Sequence, residues 1–266
     1  MPSSKRVLVV GSGGREHAIV SAIARSPSNP TIYCAPGNAG IANEATNVPI
    51  SADTTEGIEE LLAFAKKESI DLTVVGPEVP LVLGIVDRFE SEGLRVFGPP
   101  ASGAQVEGSK CFTKEFLARH EIPTGDFRIF TDAAEARESI ENGPIPIVLK
   151  ADGLAAGKGV IVAHTKEEAL AAVDTILVER RFGEAGAHLV VEECLIGSEI
   201  SILVITDGKN FLPLETAQDY KPAFDGGKGP NTGGMGTYSP YLSLGDPMVQ
   251  KILDEIIRPT LEGFEK

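Results

Sequence analysis

Tryptophan is absent from this chain of 266 residues, aromatics make up only 6%, and cysteine occurs three times. Cys34, Cys111 and Cys194 are odd in number and far apart. They form neither a disulfide framework nor a metal-ligand spacing, and small buried thiols in a reducing compartment are expected. Basic residues are also short: 24 Lys and Arg against 38 Asp and Glu leave a formal net charge of -14. That balance excludes a general nucleic-acid binder, which must displace counterions from a phosphate backbone. Nucleotides are not excluded, because a few local lysines and backbone amides hold a phosphate in an acidic protein. No apolar run approaches the roughly 18 residues that cross a bilayer, and the run at residues 6–10 is too short for a signal peptide. A cytoplasmic protein without a membrane or nucleic-acid partner is the expectation. What is present, 42% apolar residues with 23% charged ones, is the composition of a soluble globular chain.

Residues 6–98 alternate strand-like and helix-like pieces. Apolar runs lie at 6–10, 31–35, 71–75 and 95–97, with helical spacing at 15–25, 58–67 and 83–92. The alternation predicts a parallel sheet with crossover helices, a Rossmann-like α/β domain over residues 1–101. The runs end in Gly11-Ser-Gly-Gly, Ala35-Pro-Gly-Asn-Ala-Gly, Gly76-Pro-Glu-Val-Pro and Gly98-Pro-Pro. In a parallel sheet these turns share the carboxyl edge, where open α/β sheets bind ligands. A dinucleotide fingerprint would need glycine at positions 11, 13 and 16, and position 16 is Glu. Its carboxylate would repel a pyrophosphate, which leaves a phosphate monoester at the helix N-terminus as the ligand class.

Residues 102–122 read as the connecting element of the second domain, with its helix candidate at 109–120 and Lys110 and Lys114 four apart, a spacing that usually marks a solvated face. Residues 123–189 then run strand, helix, strand, glycine turn, strand, helix, a compact α+β unit bounded by Pro and Gly that suits a lid. Its turn, in Lys150-Ala-Asp-Gly-Leu-Ala-Ala-Gly-Lys-Gly, lacks the Walker spacing: Gly153 and Gly157 enclose three residues, and Lys158 is followed by Gly159. The β-branched segment after it makes a hairpin instead of a strand–loop–helix. Such a hairpin can fold over polyphosphate oxygens, with Lys150 on the preceding strand. A lysine that ends an apolar run is costly to bury without an anionic partner. Residues 190–266 bring a strand ending in Glu192 and Glu193, then Glu199, an irregular stretch at 216–240 suited to ordering over substrate, and a helix at 247–262. The carboxylates beside the hairpin suggest an adenosine site.

In order along the chain, Gly11-Ser-Gly-Gly-Arg-Glu-His-Ala, Ala35-Pro-Gly-Asn-Ala-Gly, Val75-Gly-Pro-Glu, Glu107-Gly-Ser-Lys, the Lys150 segment and Gly229-Pro-Asn-Thr-Gly-Gly-Met-Gly resemble the phosphoribosylamine–glycine ligases of the ATP-grasp superfamily. The resemblance covers essentially the whole chain. It implies a second domain that is an incomplete ATP-grasp α+β fold. It also implies an ATP-dependent ligation of glycine to 5-phosphoribosylamine through glycyl phosphate, giving glycinamide ribonucleotide, ADP and phosphate in purine biosynthesis. By position, Lys110 and Lys150 correspond to the phosphate-contacting lysines and Gly153, Gly157, Lys158 and Gly159 to the loop over the triphosphate. Glu192, Glu193, Cys194 and Leu195 correspond to the backbone segment that reads adenine, with Glu199 on the ribose. Gly14, Arg15, Gly37, Asn38 and Glu78 would face phosphoribosylamine. Asp219, with Asn231, Gly233 and Gly234, would lie near the glycine and the transferred group, which makes Lys150 and Asp219 the candidate catalytic residues.

Two departures qualify the resemblance. The family reads Gln-Asp-His-Lys-Arg where this chain has Gln218-Asp-Tyr-Lys-Pro222, so no role carries over for that His or Arg. The family also continues beyond the position of Lys266 with the Glu and Asn that hold Mg2+ or Mn2+ and with a small C-terminal domain, so no metal ligand is assigned here. The expectation is a chain that binds substrates without turning over alone, and whose frame continues, with possible fusion to other purine-pathway domains. A different ATP-grasp carboxylate–amine ligase is the alternative, disfavoured by Arg15-Glu-His and Pro36-Gly-Asn.

Overall fold

A computed structural model of the chain describes residues 4–154 and 159–265. The chain divides into two compact units, Met1–Gly108 and Ser109–Lys266. The division falls beyond residue 101 because a helix over Ala101–Gly108, which the sequence pattern does not announce, packs on its own unit.

In the first unit the strands β1 (Arg6–Gly11), β2 (Thr31–Pro36), β3 (Thr46–Asn47), β4 (Leu72–Val75) and β5 (Val96–Phe97) form one parallel sheet in the order β3-β2-β1-β4-β5. β1 is central and buried on both faces, as its unbroken apolar run requires. Leu8 and Val10 pack into a cluster with α2 (Thr55–Lys67) and α4 (Ile85–Glu90), while Val7 and Val9 pack on the other side with Val20 of α1 (Gly14–Ala24). Each such side chain contributes about 1.5–3 kcal/mol of burial. The helix expected over 83–92 is α4, and a short helix, α3 (Glu78–Val82), precedes it across Gly84, which takes φ +83. Strand β3 has only two residues and no readable alternation. From β1 the chain builds outward to β3, then crosses back to β4. The order therefore reverses between β1 and β4, and the loops leaving their carboxyl ends open a crevice there.

With Ala101–Gly108 counted as α5, the second unit opens on α6 (Lys110–Arg119), capped by Ser109, whose hydroxyl accepts from the Phe112 N–H at 3.0 Å. An antiparallel sheet follows, in the order β6 (Phe127–Phe130), β9 (Leu189–Glu193), β7 (Ile147–Ala151), β8 (Val160–Ala163). Ile147, Leu149 and Ala151 point to α7 (Ala133–Asn142) and α8 (Lys166–Val173) in a single apolar cluster. Alternation puts Val148 and Lys150 on the opposite face, in register with Glu192 and Val190. The strand–turn–strand reading of the glycine segment holds: β7 and β8 pair from Ile147↔Ala163 to Lys150↔Val160. A short antiparallel pair follows, β10 (Val204–Thr206) with β11 (Phe211–Pro213). The stretch 216–240, expected to be irregular, contains two short ladders: β12 (Gln218–Asp219) with β15 (Thr237–Tyr238), and β13 (Pro222–Phe224) with β14 (Lys228–Asn231). The C-terminal helix runs as α9 (Asp246–Ile252), one wide turn, and α10 (Arg258–Phe264).

Candidate functional site

The crevice of the first unit is a cleft of 420 Å³ at the β1/β4 reversal, lined by Gly11, Gly14, Arg15, Glu16, Asp53 and Glu78 among others. Its floor is organised by Glu16, only 4% exposed. The Glu16 carboxylate accepts from the Gly13 N–H at 2.6 Å and so caps the helix it belongs to. A Cβ at Gly76 would lie 2.1 Å from Glu16 Oε1, and one at Gly11 2.5 Å from its Cγ. The two glycine turns are therefore the space this side chain occupies. Burial, followed by the nearby Glu16 carboxylate, pushes the Cys34 thiol up to about 11. Arg15 lies across the mouth, donating to the Gly76 carbonyl at 2.6 Å and pairing with Glu78 at 3.2 Å. Gly14 faces open space. These positions can take an anion from the helix amides and a guanidinium, beside a carboxylate that can accept from an amine.

Gly37 and Asn38 reach the same edge in a supporting role. Gly37 has φ +74, and a Cβ there would meet Asn47 Oδ1 at 2.2 Å. Asn38 donates to Ser12 O at 2.8 Å and accepts from the Ile41 N–H at 2.9 Å, so its amide fastens one loop to the next. The sequence reading missed Ser51 and Asp53, which line the cleft and are hydrogen-bonded to each other at 2.7 Å.

In the second unit, Glu192 is 8% exposed and lies between two ammonium groups. Lys150 pairs with its Oε1 and Lys114 with its Oε2, the latter at 2.6 Å. Burial alone would raise the Glu192 carboxyl, but hydrogen bonds and charge from Lys114 and Lys150 outweigh it and hold the group below its ordinary value. Lys114 is thus not on a solvated face, contrary to what its spacing suggested. Lys110 and Lys114, one helical turn apart on α6, both turn toward this sheet. Lys110 donates to Gly153 O at 2.8 Å. Asp152 accepts from the Ser109 hydroxyl and the Cys111 N–H, both at 3.1 Å, while its own N–H reaches Ala185 O at 2.8 Å. Burial, then the Asp152 charge, pushes the Cys111 thiol up to about 12. The far side of the turn closes through the Ala151 N–H to Gly159 O at 2.8 Å. Gly157 and Lys158 lie outside the described residues, as does the Asn231 side chain.

At the end of β9 and just past it, Glu193 and Leu195 are exposed and Cys194 is half-buried. Glu199 and Asp219 meet on Lys221, whose ammonium is 3.0 Å from the first carboxylate and 2.8 Å from the second. The hydrogen bond to Asp219, and after it the one to Glu199, raises the Lys221 pKa despite some burial. Gln218 Oε1 accepts from Tyr238 at 2.8 Å and Tyr220 at 3.2 Å, so the Tyr that stands at position 220 joins a stacked aromatic pair. Gly233 and Gly234 have open space around them. Among the described residues no group of His, Cys, Asp and Glu is arranged to hold a metal ion, and no helix is long and apolar enough to cross a membrane.

The profile described as "Phosphoribosylglycinamide synthetase, N domain" matches residues 5–107, and "Phosphoribosylglycinamide synthetase, ATP-grasp (A) domain" matches residues 108–266. The chain belongs to the phosphoribosylglycinamide synthetase family. The phosphoribosylamine–glycine ligase of Yersinia pestis is 53% identical over 260 residues, covering 97% of this chain and 60% of that protein. The crystal structure of the Thermotoga maritima phosphoribosylamine–glycine ligase superposes with a TM-score of 0.83 at 35% identity, over 98% of this chain and 61% of that one. The biotin carboxylase domain of Hydrogenobacter thermophilus 2-oxoglutarate carboxylase, solved with MgADP, gives 0.75 at 19% identity over 97% of this chain and 58% of that one, a likeness of fold alone. The chain spans about 60% of the length of the relatives it matches.

Within this synthetase family chain, the residues expected from sequence form three groups. Gly14, Arg15, Gly37, Asn38 and Glu78 share one sheet edge. Lys110, Lys150, Gly153, Gly159 and Glu192 gather at the β7–β8 hairpin. Glu199 and Asp219 are joined by Lys221. Lys114, Lys221, Ser51 and Asp53 were missed. Lys114 carried no local signal: it follows Lys110 by one helical turn, Phe112 and Phe116 fall on the other side of the helix, and the acid that pairs with it, Glu192, comes from a distant strand.

Proposed function

We propose that this chain carries the acceptor-binding unit and the nucleotide-binding lid of an enzyme that ligates glycine to 5-phosphoribosylamine at the expense of ATP. The observation that carries the reading is Lys150, held by buried Glu192 at the base of a glycine hairpin whose first turn residues receive Lys110. Two ammonium groups at one backbone turn suit a polyphosphate, whose charge they neutralise while N–H groups position it. When ATP is bound it supplies the phosphoryl group that activates the glycine carboxylate. Lys150 and Lys110 hold that phosphate chain, and Glu199, kept in place by Lys221, accepts from ribose hydroxyls. Asp219 and the backbone at Asn231, Gly233 and Gly234 flank the glycine. In the first unit the amides at Gly14 and the Arg15 guanidinium take the 5-phosphate, and Glu78 orients the amine that attacks the activated carbonyl. Magnesium or manganese accompanies the nucleotide in this reading, but the described residues offer no ligand set for it, so none of its chemistry is assigned to them. Free Cys34, Cys111 and Cys194 support a reducing, cytoplasmic setting.

The test is binding, measured by calorimetry on the folded chain. ATP should bind, and Lys150→Ala should weaken it by about 30- to 100-fold, as removing a charge from a buried, hydrogen-bonded set does. Ribose 5-phosphate should bind independently and lose affinity in Arg15→Ala. Equal ATP affinity in wild type and Lys150→Ala would sink the nucleotide assignment.

A further inference from the structure

We propose that Lys114 is a positioning residue for the nucleotide phosphates: by holding the far oxygen of Glu192 it leaves Lys150 free to turn its ammonium toward an anion. The inference rests on the nucleotide reading above and assigns a residue that reading does not use.

The contacts of the two lysines differ in kind. Lys114 donates to Thr124 Oγ1 at 2.7 Å and Gly125 O at 3.3 Å, and its ammonium is ion-paired with Glu192 Oε2 at 2.6 Å. Its ammonium also lies 5.5 Å from the centre of the Phe127 ring, and its side chain is 12% exposed. It is fixed. Lys150 is 27% exposed and, among the described residues, has Glu192 as its one partner. Two of its donors remain for a ligand.

Charge arithmetic explains why the second lysine matters. A lone Lys150–Glu192 pair would be neutral, and the carboxylate would oppose a phosphate brought to the same ammonium. With Lys114 present the set carries one net positive charge. Glu192 can then divide its oxygens: one is ion-paired with the fixed Lys114 ammonium, and the other steers Lys150 without neutralising the whole. Lys114 also ties Thr124 and Gly125, the residues leading into β6, to the register in which Phe127 pairs with Glu192. Lys114 touches no ligand in this scheme. It acts through Glu192.

The experiment compares ADP with adenosine, by calorimetry and saturation-transfer NMR, without added metal. In Lys114→Met the ADP affinity should fall by about tenfold, as loss of a charge coupled through a buried carboxylate predicts, while adenosine binding stays as in wild type. Lys114→Arg, which keeps the charge, should recover most of that loss. In a Glu192→Gln background the added Lys114→Met change should cost about twofold or less, because the two residues act as a unit. That pair of variants also serves if Lys114→Met alone does not fold, since it leaves no uncompensated buried acid. Unchanged ADP affinity, an equal loss for adenosine, or a full additional loss in the Glu192→Gln background overturns the inference while the nucleotide site stands. A wild-type chain that binds no ADP overturns the nucleotide reading itself and the inference with it.

Discussion

Each unit buries one glutamate at the centre of its site, and the two are satisfied in opposite ways. Glu16 is held by a backbone amide of the turn it closes, at 2.6 Å, and its walls are glycine backbone. Glu192 is held by two side-chain ammonium groups from different elements. A carboxylate bonded to backbone defines the shape of a cleft and has no second arrangement open to it. A carboxylate between lysines can share its partner with an anion, so in the reading proposed above the same residue type is scaffold in one unit and charge regulator in the other.

The contrast predicts unequal costs. Glu192→Leu strands the Lys114 ammonium in a nearly dry site and should destabilise the second unit by about 3–5 kcal/mol, the usual cost of breaking a buried ion pair. Hydrogen exchange followed by mass spectrometry, under mild urea, should localise the loss to β7 and β9 and leave β1 protected. The same pair sets an acid limit. The folded pKa of Glu192 lies below its unfolded value, so its stabilisation is complete above the unfolded value, roughly pH 4.3, and is lost as pH falls through the folded one. In Glu192→Gln that acid-side slope should flatten.

Glu16→Ala removes a helix cap and a contact with two glycine turns, and should cost the first unit about 1–2 kcal/mol. A cost equal to that of Glu192→Leu would remove the distinction between the two carboxylates. The smallest change is expected at the thiols beside the two sites. Cys34→Ala and Cys111→Ala should each cost about 1 kcal/mol or less near neutral pH. Both thiols are raised on folding, to about 11 and about 12. Wild-type stability should therefore hold below the unfolded thiol value, roughly pH 8.5, and decline as pH rises toward the folded values. Urea melts at rising pH should show that decline lessened in the alanine variants.

Much of this was legible in the sequence because it is written in local pattern. The runs at 6–10, 31–35 and 71–75 were readable as strands, the first of them buried on both faces, and Glu16 stood out as a misfit in a glycine fingerprint. Its burial was not legible, since that depends on the approach of Gly76 from the turn after another strand. Lys150 declared itself by ending an apolar run. Lys114 did not, because a lysine on a helix reads as solvated until the acid that buries it is known, and Glu192 comes from a distant strand. β3 and the helix over Ala101–Gly108 escaped for a simpler reason: one is two residues long and the other has no apolar stripe.

The anchoring of Asp152 has a consequence for how the chain tolerates inserted residues. Its carboxylate is tied to Ser109 and Cys111 and its amide to Ala185, so the strand before the turn is pinned at that residue. One residue added within β7 would carry Lys150 to the helix-covered face, because a single-step slip reverses every side chain of a strand. One residue added after Gly153 leaves Lys150, Asp152 and the Lys110 contact where they are. Length variation in this hairpin is therefore confined to one side of a single aspartate.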